Sequence, residues 1–199
     1  CNRPFKDAEE MNKTIIENTN AELSKVKDPI LINCGDFIFG QVSTFEELMG
    51  SIKASRIYNV IGNHDFPNVF DKRVQVQQFS NIGWNTEYIV EIYDKHKKVL
   101  TFTVSHYPKP FNMFYGAFNI HGHLHEIPNM EDMTGSDKNK AEYLIENGDY
   151  YDVGVDGNNF KPVKLSSILK GQTTMPKLKH IDYDKWKNII NDIINRNNA

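Results

Sequence analysis

Cysteine is scarce in this 199-residue chain: Cys1 and Cys34 are the only two. Two thiols cannot build a disulfide framework, and a reducing, cytoplasmic setting is the expectation. Long hydrophobic runs are missing as well. No stretch approaches the ~18 apolar residues a membrane-spanning helix needs, so no membrane partner is expected. Charge of one sign is also lacking. Lys and Arg number 23 against 26 Asp and Glu, a net charge of −3, which gives no general argument for a polyanionic partner. The balance is uneven along the chain: from Lys161 onward, 8 Lys or Arg face 3 Asp or Glu. That basic end reads as a solvated helical face, with help to an approaching anionic substrate as the alternative. No internal repeat is visible.

What is present is ordinary for a folded domain: 39% hydrophobic and 25% charged residues, in a length that suits one domain spanning 1–199. The first half alternates helix and strand. "DAEEMNKTIIENTNAELSKV" places Met11, Ile15, Ile16, Leu23 and Val26 at helical spacing, with acids in its first turn. "DPILINCGD" and "RIYNVIGNHD" read as short buried strands, each ending at a glycine. Between them, Ser43 with Glu46, or Thr44 with Glu47, offers a capping box for a second helix. The second half changes character. "TEYIVEIYDKHKKVLTFTVSHYP" reads as a hairpin turned at "DKHKK", and "FNIHGHLH" and "YYDVGVD" as further strands. "PVKLSSILK" and "DYDKWKNIINDIINR" read as closing helices, and the polar stretch from Glu126 to Asp149 as a surface excursion. Trp84, Trp186 and the tyrosines are assigned to packing.

Four stretches share one design, a polar residue of ligand type directly after an apolar strand. They are "LINCGD" with Asp36, "VIGNHD" with Asn63, His64 and Asp65, "FTVSHYP" with His106, and "HGHLH" with His121, His123 and His125. Residues at the carboxyl ends of neighbouring strands converge on one crevice, where α/β sheets bind ligands. Gly35, Gly62 and Gly122 stand beside these residues. The donors are oxygen and imidazole nitrogen without thiolate, which suits Mn, Fe or Zn at a hydrolytic centre. In an extended segment His123 and His125 project from one face and can serve two adjacent metals. His121 lies inside the strand and is assigned to packing or to support behind the ligands.

"GD…GNHD…SHYP…GHLH", taken in this order, resembles the calcineurin-like metallophosphoesterase superfamily, and "CNRPF", "LINCGDFIFG" and "VGVD" resemble its small single-domain bacterial and phage members. The resemblance implies a four-layer α/β/β/α sandwich, two mixed sheets flanked by helices, and two divalent metal ions, Mn foremost with Fe, Zn or Ni as alternatives. It implies that Asp36 bridges the metals, that Asn63, His106 and His123 complete one site, and that His125 binds the other. His64 would act at the leaving group and Asp65 would orient it. The implied reaction is hydrolysis of a phosphomonoester or phosphodiester, with a small phosphate ester or nucleotide as substrate.

The family's opening Asp-x-His motif has no counterpart here; the chain starts at Cys1. The expectation is therefore an N-terminally incomplete domain without its first strand, a lipid-bearing Cys1 being another way to read that start. A pseudoenzyme that binds metal or substrate with an incomplete first site is the alternative. A small nuclease acting on nucleic-acid ends is a third reading, supported only by the basic end.

Overall fold

The computed structural model describes residues 3–37, 42–65, 82–108, 118–124, 150–173 and 181–197. Helix α1, Ala8–Leu23, starts where Asp7 accepts the Glu10 amide at 2.9 Å. Glu9 and Glu10 in its first turn complement the helix dipole. It ends before Pro29, whose ring cannot continue a helix. Strand β1, Ile30–Asn33, follows, and helix α2, Val42–Ser51, leads to β2, Arg56–Val60. The expected caps Ser43 and Thr44 lie inside α2 rather than before it. First-turn amides have no intrahelical acceptors, so hydroxyl residues are tolerated there and blur the boundary. Asn20 on α1 ties this region together: its amide donates to the Ser51 carbonyl at 2.7 Å and its oxygen accepts from the Lys53 amide at 2.8 Å.

Strand β3, Ile82–Asn85, was not expected from the sequence. "IGWN" carries little strand signal of its own, and it forms by pairing in parallel with β2. Context of this kind outweighs intrinsic strand preference. The expected hairpin is present as β4, Glu87–Asp94, and β5, Lys97–Ser105, antiparallel, with Lys95 at φ 57° in the turn. β6, Asn119–His121, and β7, Tyr150–Asp152, extend that sheet in parallel. Helices α3, Leu165–Leu169, and α4, Tyr183–Asn197, close the chain.

The result is an α/β sandwich of two sheets with flanking helices, ordered β1-β2-β3 and β4-β5-β6-β7. The second sheet is mixed, while the first is all parallel among the described residues. One core joins them. Cys34, just after β1, and Val60 of β2 pack with Phe102, Val104 and Ile120 from the second sheet, and with Ile168, Trp186 and Ile190 from the helices. β5 shows the period of two that this needs: Leu100, Phe102 and Val104 are buried, and Thr101 and Thr103 less so. Each such side chain contributes about 1.5–3 kcal/mol of burial. Among the described residues no helix is long and apolar enough to cross a membrane.

Candidate metal centre

The parallel strands align their carboxyl ends, and the loops leaving those ends carry the candidate ligands. Asp36 follows β1, Asn63 to Asp65 follow β2, His106 follows β5 and His123 follows β6. Asp36, His106 and His123 each offer a ligand atom, all within 4.8 Å of one another. Asn63 joins them, with its Oδ1 2.9 Å from His106 Nε2. His125 and the stretch from Glu126 to Asp149 lie outside the described residues.

Tight packing at two glycines makes this convergence possible. Gly35 has φ +98°, and a Cβ there would overlap the His106 ring. A Cβ on Gly62 would overlap both the carboxylate and the backbone amide of Asp36. Glycine is the residue that allows such approach. Two of the candidate ligands occupy the left-handed region, Asp36 at φ 52° and His123 at φ 70°. Non-glycine residues there store about 1–3 kcal/mol each and cluster at functional sites.

Hydrogen bonding fixes the state of His106. Its Nδ1 lies 2.9 Å from the Cys34 carbonyl oxygen, which can only accept, so Nδ1 carries a proton and donates. Nε2 then faces Asn63 Oδ1 at 2.9 Å, His123 Nδ1 at 3.1 Å and Asp36 Oδ2 at 3.3 Å. Four atoms rich in lone pairs surround one point, and together they call for positive charge. The local electrostatics agree. Burial works against the imidazolium of His106, but the Asp36 hydrogen bond and the Cys34 carbonyl outweigh it and raise the pKa. Burial likewise opposes the Asp36 carboxylate, yet the His106 bond and the His64 amide, 2.8 Å from Oδ1, hold its pKa below the usual range. The set of carboxylate, amide oxygen and two imidazoles fits a divalent cation.

The other sequence candidates fall into place around this centre. His64 is exposed at its rim and donates its backbone amide to Asp36. Asp65 is fully buried and accepts the Gly62 amide at 2.9 Å, bracing the turn that presents Asn63. His121 is fully buried, with Nδ1 on the Gly122 carbonyl at 2.8 Å, and stands outside the ligand group. Burial holds its pKa down at about 4, so the ring is neutral packing near Tyr150. Asp156 is occupied by Arg3 in a two-pronged pair at 2.6 and 2.8 Å. Sequence reasoning missed one participant. Tyr107, taken as packing, sits 46% exposed with its ring against His106 and His123. Its position directly after the ligand in "SHYP" was the available signal.

A cavity of about 700 Å³ runs from this centre along β1, walled by α1 residues such as Ile15 and Ile16, by Val104 and Ile120, and by Val153 to Asp156. Its lining is mostly apolar, and Asp36, His106 and His123 stand on its wall. β1 has no strand partner on that side among the described residues.

No protein-family model matches the chain, and no solved structure matches it. It is similar to "Uncharacterized protein MJ1445" of Methanocaldococcus jannaschii, with 29% identity over 173 residues, covering 85% of this chain and 80% of that protein.

Proposed function

We propose that this protein is a metal-dependent phosphoesterase that hydrolyses a phosphomonoester or phosphodiester. One observation carries the reading: Asp36, Asn63, His106 and His123 bring four ligand-type atoms together at strand ends of both sheets. The order and spacing of "GD…GNHD…SHYP…GHLH", which resembles the calcineurin-like metallophosphoesterases, supports it. Asp36, Asn63, His106 and His123 would hold one divalent ion, Mn foremost, with Fe, Zn or Ni as alternatives. A second ion would share Asp36 with His125. Bound divalent ions lower the pKa of a coordinated water and stabilise charge on the phosphoryl oxygens. The chain's own residues do the rest. The Cys34 carbonyl keeps His106 in the Nδ1–H tautomer, leaving Nε2 for the ligand face. Asp65 and Gly62 brace the loop that carries Asn63 and His64. His64, exposed at the rim, would protonate a leaving oxygen. A small phosphate ester or nucleotide is the proposed substrate.

Purified protein supplied with Mn²⁺ should hydrolyse bis-p-nitrophenyl phosphate or p-nitrophenyl phosphate. Asp36→Asn should reduce that rate by roughly 100-fold or more. Turnover of neither ester above the level of free Mn²⁺ would refute the proposal. His64→Ala should cost more with an alkyl leaving group than with p-nitrophenolate, which needs no proton. A metal-binding module without catalysis is the second reading. It is favoured by the single ligand group found among the described residues, and it predicts tight Mn²⁺ binding with no turnover.

A further inference from the structure

Tyr107 is half exposed, yet its neighbours are candidate ligands. Its hydroxyl donates to Asn63 Oδ1 at 3.2 Å. Its ring meets the His123 ring edge-on at 4.4 Å and 61°, and the His106 ring at 4.8 Å and 75°. An asparagine side chain presents either oxygen or NH₂ after a half turn, and only the oxygen can bind a cation. The Tyr107 hydroxyl occupies one lone pair of Oδ1 and leaves the other toward His106 Nε2. The ring, meanwhile, limits how the His123 imidazole can turn, at a residue whose own backbone sits at φ 70°.

We propose that Tyr107 is a positioning residue: it fixes the Asn63 amide with oxygen toward the centre and braces the His123 imidazole for the same cation. The inference rests on the metal-binding reading above. It assigns Tyr107 no contact with the reacting atoms. Partners of this kind, which orient a ligand without being one, commonly govern affinity by about 10–100-fold.

The test measures Mn²⁺ binding to the full chain by calorimetry, beside thermal unfolding of the metal-free protein. Tyr107→Phe keeps the ring and removes the donor. It should weaken binding about tenfold and leave the midpoint within about 1 °C, because a half-exposed hydroxyl supports little of the fold. Tyr107→Ala also removes the brace on His123 and should weaken binding roughly threefold further. The deciding arm is Asn63→Asp, whose carboxylate presents oxygen whichever way it turns. In that background Tyr107→Phe should change affinity by less than about twofold. Wild-type affinity in Tyr107→Phe, or an equal loss in the Asn63→Asp background, would overturn the positioning role while leaving the metal site standing. A wild-type protein that binds no Mn²⁺ would overturn the metal reading and this role with it.

Discussion

Replacing Gly35 by alanine tests the architecture of the centre at its tightest point. Gly35 has φ +98°, where an L side chain costs about 1–2 kcal/mol. The added Cβ would overlap His106 Nδ1 and lie 2.7 Å from its Cγ. The ring cannot retreat without breaking the 2.9 Å bond to the Cys34 carbonyl, and overpacking of this kind costs about 1–3 kcal/mol more. The total is about 2–5 kcal/mol, which for a chain of this length lowers the unfolding midpoint by roughly 5–15 °C. Because the displaced group is a proposed ligand, Mn²⁺ affinity should fall by about 100-fold as well. Gly50→Ala is the control. Gly50 lies in α2 with nothing near the position of an added Cβ, so alanine should stabilise by up to about 1 kcal/mol through helix preference. Thermal melts and calorimetric Mn²⁺ titrations read both variants. A Gly35→Ala protein that matches wild type in midpoint and affinity, or a Gly50→Ala protein that loses as much, would refute the reasoning.

Breaking the Arg3–Asp156 pair by Arg3→Ala should cost about 2–3 kcal/mol in urea unfolding, because both groups are partly buried and the bond is two-pronged and charge-assisted. A loss below about 0.5 kcal/mol would place it with ordinary surface pairs. Burial pushes the Cys34 thiol up to about 12 from 9.0. Iodoacetamide at pH 8 should leave Cys34 unmodified in the native protein and modify it after unfolding, as read by peptide mass spectrometry. The same shift sets a sign with pH. Between about 9 and 12 the folded state retains a proton that the unfolded state releases, so Cys34 favours unfolding increasingly as pH rises through that window. Amides of β1 on the side away from β2 should exchange with deuterium faster than the β2 amides, since among the described residues β2 is paired on both sides and β1 on one. Equal protection would show that β1 has a second partner.

Much of the fold was legible because its signals are local. The cap at Asp7, the break at Pro29 and the period-two burial of Leu100, Phe102 and Val104 each follow from a few neighbouring residues. β3 was not legible, because "IGWN" becomes a strand only through its register with Ile57 to Val60. The start of α2 was misjudged because Ser and Thr suit both the cap and the first turn. Asp156 pairs with Arg3, 153 positions away, and no local pattern announces a bond of that span.

At the site, ligand types could be read from sequence, but the forces that make them a site could not. "GD", "GNHD", "SHYP" and "GHLH" name carboxylate, amide and imidazole in order. They do not reveal that the Cys34 carbonyl, 72 positions before His106, sets that ring's tautomer, nor that Tyr107 reaches Asn63. Those bonds depend on two sheets bringing their strand ends to one edge. The backbone at the cluster adds one more observation. Asp36 and His123 hold backbone conformations that glycine would adopt without strain. Keeping a carboxylate and an imidazole there costs folding energy, and what the cost retains is two ligand atoms within 4.8 Å of each other and of His106. Left-handed backbone at two residues of one cluster, with Asp36, His106 and His123 turned to one point, is what the proposed cation site would need.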